Sequence, residues 1–477
     1  MENQTRNPSF LASTFILLLI VAILAVSILY YQVAPQIPIV LAATIVGLYA
    51  YTLGYRWKDL EEAMVKGISA GLPSILILMT VGILIGVWAM NGTVPTLAFY
   101  GLNLLSPQFF LVSAVILCVI VSVMTGSSWS AISTMGVALM GVAYGMGISP
   151  AMTAGAIVCG AIFGDKISPL SDTTNLTSAI AKVNIFEHIR YMLWTTIPAL
   201  LITLAIFLFI GLDSRLVNPD IGQMELMVHT LEEQFTLSWL TLLSPLAIIV
   251  LGMKRVPALP TLFISLLIAI LTGLYTISNF SIAELMVTAH TGYVANTGVE
   301  AIDNLLSIGG LSNMLFGVSI ILIALSFGGL VQKIGLHTVL INGIVHFLKR
   351  TGNIVLTTVL ACIGVNTVIG EQYLSIMLPG QMLESTYKNA NLHPKTLSRT
   401  LEDAGTVVHP AIPWGVTGAF IMSTLNIGVE YALFSFICFI TPLIAIFYGY
   451  TGISIKHIEE DPGDSIAQNV KEKKMPV

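Results

Sequence analysis

Charge is what this 477-residue chain has least of: only 9% of its residues are Asp, Glu, Lys or Arg, against 56% hydrophobic. A soluble domain carries roughly 25% charged residues, so no water-exposed surface can be built from this composition, and the chain reads as a polytopic membrane protein. The net charge of −5 is small and spread out. No basic stripe is present, which excludes nucleic acid as a partner and leaves the lipid bilayer. Cysteine is scarce too. Cys118, Cys159, Cys362 and Cys438 all sit in apolar runs, where Cys acts as a small hydrophobe, and neither a disulfide framework nor a CxxC metal site is visible. No HExxH is present, and no GxSxG elbow or Gly-rich nucleotide loop stands at the required strand-helix junction, so the chain is expected to be no enzyme and to need no cofactor.

What remains is long apolar runs. A helical span needs roughly 20 apolar residues, and the candidates are 10–32, 37–55, 70–90, 108–124, 191–212, 237–252, 257–277, 312–331, 352–369 and 430–449. The first run is too long for a signal-peptide core and has no small-x-small cleavage site after it, so it reads as a transmembrane helix. Two regions, 125–182 and 370–426, resist this counting. Both are rich in Gly, Pro, Ser and Thr, and both carry charges inside apolar surroundings.

Lys and Arg placement sets orientation. With the N-terminus in the cytoplasm, Arg56, Lys58, Lys66, Lys182, Arg190, Lys254, Arg255, Lys333, Lys349, Arg350 and the C-terminal KEKK all fall inside. The 91–107 connection, with no Lys or Arg, falls outside. So does the acidic 213–236 loop (Asp213, Asp220, Glu225, Glu232, Glu233, one Arg215), of which 228–235 reads as a solvated loop. Lys388, Lys395 and Arg399 are the misfit, placed outside or in a re-entrant segment. The scheme makes the two halves, 1–235 and 236–455, inverted, followed by a cytoplasmic tail, 456–477. An offset of 244 pairs Cys118 with Cys362, Gly126 with Gly370, Gly136 with Gly380, Pro150 with Pro394, Pro169 with Pro413 and Thr173 with Thr417. Identities are few, ten in the 68 positions of 111–178, but the Gly and Pro punctuation falls in one register. The expected fold is all-α, with two inverted-topology repeats, re-entrant hairpins and discontinuous helices. That pattern belongs to secondary transporters, which bind substrate and coupling ions where broken helices meet near the midplane.

The chemistry gathers at the interruptions. The stretch 123–131 (VMTGSSWSA) reads as a hairpin tip holding Thr125, Ser127, Ser128 and Ser130. The stretch 159–180 reads as helix, break, helix, because Pro169 removes a ladder bond and disfavours helix at Ser168. Its freed carbonyls stand beside Asp165, Asp172, Thr173 and Asn175, a set of hard oxygens suited to sodium. A helix N-terminus after the break suits an anion instead, and both readings stay open here. In the second half Glu371 stands where the first has Ser127. His409 falls opposite Asp165 in a break holding Pro410 and Pro413, with Thr417 opposite Thr173. Intramembrane carboxylates are functional by default. Lone hydroxyls more often bond a carbonyl of their own helix. Lys166 is expected to neutralise Asp165 or reach the cytoplasmic interface, and Arg399 to pair with Glu402 or Asp403.

GDKISPLSDTTN (164–175), with GSSW (126–129), EQY (371–373) and the EDAGT…IPW run (402–414), resembles the NhaC-type sodium/proton antiporters of the ion-transporter superfamily over nearly the whole chain. The resemblance implies exchange of cytoplasmic sodium for external protons in the cell membrane, with both termini cytoplasmic and a homodimer expected. One branch of that family couples proton-linked malate uptake to sodium and lactate release. Site residues implied by the resemblance are Asp165, Ser168, Asp172, Thr173 and Asn175, with Glu371, Asp403, Thr406 and Trp414. Here Gly415 and Val416 follow the tryptophan, and His409 replaces a small hydroxyl residue, a departure that leaves room for a bulkier substrate. Asp165 or Asp172 is the expected sodium and proton carboxylate, with Thr173 and Asn175 completing the shell.

Overall fold

The computed structural model describes residues 6–213, 221–277, 280–336, 338–339 and 350–458. Arg215, Asp220, Lys349, the KEKK run and most of the tail lie outside them. The described residues form helices joined by short turns, and the one β-bridge among them is Leu392 to His457. Among the described residues eight helices are long and apolar enough to cross a membrane, or up to ten if each bent pair is one span. The ten apolar runs all fall on helices. The run at 70–90 belongs to a helix that begins at Trp57 and ends at Met90, because its first turns are charged and do not register as apolar.

Two stretches read as connections are helical. Thr93–Leu104 is a helix within 91–107. Residues 228–235, read as a solvated loop, lie largely in the helix Ile221–Gln234, whose Met227 and Leu231 are fully buried while its acidic side faces out. Amphipathic spacing made it look like loop to a hydropathy count.

The long helices Trp57–Met90 and Leu311–Ile334 form the central packed pair. Between membrane helices small residues set how close two backbones come, and this contact is lined by Gly67, Gly71, Gly82 and Gly86 on one helix and by Gly310 and Gly329 at the other. The Gly310 amide donates to the Gly82 carbonyl at 2.6 Å. Around this pair stand two hairpins, Phe110–Thr125 with the helical segment from Ser128 to Met146, and Thr351–Ile369 with Gln372–Asn389. Against each lies a broken helix.

Lys182 pairs with Glu384 at 2.6 Å and Lys395 with Glu187 at 3.2 Å. The segment 384–399 therefore sits at the same end of the molecule as Lys182, and the charge misfit disappears: the second hairpin returns to the end it started from. Arg399 pairs with neither Glu402 nor Asp403. Its guanidinium donates to the Ser454 carbonyl and hydroxyl and stacks over Tyr191.

A Cβ at Gly82 would lie 2.8 Å from the Gly310 carbonyl oxygen, whereas nothing lies within 4 Å of one at Gly47. Overpacking costs about 1–3 kcal/mol, so Gly82→Val is expected to lower the melting temperature of the detergent-solubilised protein and Gly47→Val to leave it near wild type.

Candidate functional site

Both hairpins turn in the same way. Phe110–Thr125 stops at Gly126, whose φ of 67° is left-handed and strained for any side chain but glycine's. Ser127 then caps the next helix, its hydroxyl accepting from the Ser130 amide at 3.3 Å. Thr351–Ile369 stops at Gly370 (φ 71°), and Glu371 caps Gln372–Asn389 by accepting from the Leu374 amide at 2.8 Å. The broken helices keep the same spacing. Pro150–Ile167 and Asp172–Ile180 match Pro394–Leu401 and Val416–Leu425 in starting position, each at an offset of 244. The first pair is bent by 48°.

Each break is stitched to the tip beside it. The Ser168 hydroxyl donates to the Val123 carbonyl at 3.0 Å, the Val416 amide to the Gly370 carbonyl at 2.9 Å, and the Trp414 indole to the Thr367 carbonyl at 2.7 Å. The carbonyls expected to be free for a cation are largely used within the first break: Ser168 accepts from the Ser171 amide, Lys166 from the Thr174 hydroxyl and Pro169 from the Asn175 amide.

The two tips and two breaks enclose a central cavity of about 150 Å³. Of the residues singled out from the sequence, Ser127, Ser128, Asp165, Asp172, Thr173, Glu371, His409 and Thr417 line it. Asp165 is buried, and one of its carboxylate oxygens accepts both the hydroxyl of Ser128, at 2.7 Å, and its amide, at 3.2 Å. Thr173 lies between Ser171, at 3.1 Å, and the Glu402 carboxylate, at 3.2 Å. Among the described residues the lining holds three carboxylates and neither Lys nor Arg.

The remaining candidates lie elsewhere. Thr125 donates to the Val121 carbonyl at 2.9 Å and lines an adjoining, wider vestibule, as does Asn175. Ser168 and Trp414 are held by the stitching bonds, and Thr406 is buried in the π-helical turn Glu402–Thr406. Asp403 is fully buried away from the cavity. It pairs with Lys166 and accepts from the Thr195 hydroxyl at 3.0 Å. Lys166 thus neutralises a carboxylate of the other half, not Asp165, and does not reach the interface.

His409 is held as a neutral ring. Asn366 gives its amide nitrogen to the Gly405 carbonyl at 2.8 Å, which leaves its oxygen to accept from His409 Nδ1 at 3.1 Å. His409 Nε2 accepts from the Thr417 amide at 3.3 Å. The histidine fixes the second break in place, and its nitrogens are occupied.

Glu402 was not singled out as a site residue. It is fully buried, and among the described residues its hydrogen-bond partners are two threonines, Thr173 and Thr177, with no direct ion pair. The adjacent carboxylates of EDAGT were the available signal: on a π-helical turn, a motif frequent at functional sites, one meets Lys166 and the other the cavity wall.

A family model described as the Na+/H+ antiporter family matches residues 7–174 and 160–453. The chain belongs to that family. It is 46% identical to the Na(+)/H(+) antiporter NhaC of Alkalihalophilus pseudofirmus over 91% of this chain and 94% of that one. It is 40% identical to the NhaC of Bacillus subtilis over 94% and 99%. A malate-2H(+)/Na(+)-lactate antiporter of B. subtilis is 36% identical over 93% and 95%.

Removing one partner of a buried ion pair strands the other and costs about 3–5 kcal/mol, while replacing both is often neutral. Lys166→Met is therefore expected to melt well below wild type in detergent, and Lys166→Met with Asp403→Leu to recover most of the loss.

Proposed function

We propose that this protein is a sodium/proton antiporter of the cell membrane that works by alternating access, with sodium and protons competing for the carboxylates of the central cavity. The observation that carries the reading is the lining itself: Asp165, Asp172 and Glu371 face one small space that no Lys or Arg shares. A carboxylate withdrawn from water, as Asp165 is, is neutralised by whichever cation reaches it, so loading sodium displaces the proton and the reverse; Asp172 is exposed where the cavity meets the wider space beside it. Asp165, Asp172 and Thr173, with the hydroxyls of Ser127 and Ser128, supply the oxygens for sodium, while Asn175 stands outside this shell, in the vestibule. Glu402 answers the same cavity through Thr173.

The wider spaces beside the cavity carry Arg255 in one and Lys66 and Lys333 in the other. Charge asymmetry puts these residues, and both termini, in the cytoplasm, so the conformation is open inward. Alternating access then follows from rocking of the two halves, taken as inverted repeats.

Exchange of malate and lactate is disfavoured by the same geometry. A carboxylate substrate needs a cation or free helix amides. The amides of Ser128, Ser130 and Thr417 in the cavity lining are already donating to Asp165, Ser127 and His409, and nearby those of Thr174 and Leu374 to Ser171 and Glu371.

In proteoliposomes a sodium gradient is expected to drive opposite proton movement, and Asp165→Asn and Asp172→Asn each to slow it by about tenfold or more. Full activity in both variants would overturn the assignment. Malate or lactate added to the same vesicles is expected to change nothing; a requirement for either would favour organic-acid exchange.

A further inference from the structure

The central cavity is flanked by two vestibules of similar size and different chemistry. The first, about 720 Å³, meets it at Ser127, Ser130 and Asp172 and adds Thr125, Asn175 and Thr261. The second, about 740 Å³, meets it only at Glu371 and Tyr373. Its inner end is otherwise Ile369, Leu374 and Met377, and its outer end carries Asp59, Glu62, Lys66 and Lys333.

We propose that the second vestibule is a separate proton route, which carries protons away from Glu371 to the cytoplasm while sodium enters past Asp172. The inference rests on the sodium/proton reading. A sodium ion leaving water needs a succession of oxygens to replace its hydration shell, and the first vestibule, lined also by Arg255 and apolar side chains, offers hydroxyls, an amide and a carboxylate where it meets the cavity. The second narrows to one carboxylate and one phenol set among apolar side chains, which is poor for sodium. It suits a proton, which moves between titratable groups and water. Glu371 faces Asp165, Asp172, Tyr373 and His409 across the cavity, and Asp59, Glu62, Lys66 and Lys333 along the vestibule. It takes one proton from a cavity carboxylate as sodium binds there, becomes neutral, and gives that proton to vestibule water, returning to its charged form. His409 takes no part, since its nitrogens are bonded to Asn366 and Thr417.

Ala70 lines only the second of these spaces and Ala258 lines the first and the cavity. The four native cysteines are buried, so Ala70→Cys and Ala258→Cys each give one accessible thiol. Each full-length variant is reconstituted and assayed before and after reaction with a bulky, uncharged, membrane-impermeant maleimide on both faces. The same protein serves as its own folding control. Two fluxes are measured: sodium-driven proton movement, and exchange of labelled for unlabelled sodium, which needs no proton. Blocking Ala70→Cys is expected to slow sodium/proton exchange by about tenfold and leave sodium/sodium exchange within about twofold. Blocking Ala258→Cys is expected to slow both. If blocking Ala70→Cys slows both fluxes equally, or neither, the separate route is wrong. If unmodified protein shows sodium/sodium exchange but no proton coupling, the sodium/proton reading fails first and takes the route with it.

Discussion

Backbone that is not helical at membrane depth has to find its hydrogen bonds inside the protein, and the centre of this molecule is organised by that requirement. Two hairpin tips and two helix breaks would each leave amides and carbonyls unpaired if they stood alone. Brought together they satisfy one another: Ser168 bonds the end of the first hairpin's outgoing helix at Val123, and Val416 bonds the tip of the second at Gly370. The space left between them is therefore small and lined by side chains, with most backbone groups already committed.

Charge follows from the same closure. Asp403 and Lys166 are both buried, and they come from broken helices in different halves of the chain. Their pairing removes one positive and one negative group from the balance. The carboxylates of the cavity are left without a resident counter-ion, which is the condition under which a mobile cation becomes the partner. Because its side chain does not line the cavity, Lys166 joins two halves of the chain without occupying the site beside it.

Much of this was legible in the sequence because Gly and Pro act locally. Gly126 and Gly370 end helices by their own backbone limits, and the apolar runs 108–124 and 352–369 stop beside them as expected, while Pro150 and Pro394, paired in the same register, stand at helix starts. Partners across the fold are another matter. Nothing local says that Lys166 meets a carboxylate 237 positions away, or that Asp403, not Glu402, is the one it neutralises. Nor does spacing say that freed carbonyls are taken by Ser171, Thr174 and Asn175, residues three to eight positions later whose side chains or amides fold back into the break. The helix Ile221–Gln234 was missed because its buried stripe is narrow and its remaining residues are polar.

The two hairpin tips show how such a scaffold acquires asymmetry. Ser127 and Glu371 perform the same capping task after the same left-handed glycine, one with a hydroxyl and the other with a carboxylate. A cap position is indifferent to which oxygen it receives, provided the oxygen accepts the amide three residues on. An ionisable group can therefore be introduced or withdrawn at the heart of the membrane by a single residue exchange that the backbone does not register. A scaffold of this kind can change the ions it handles while its fold stays still.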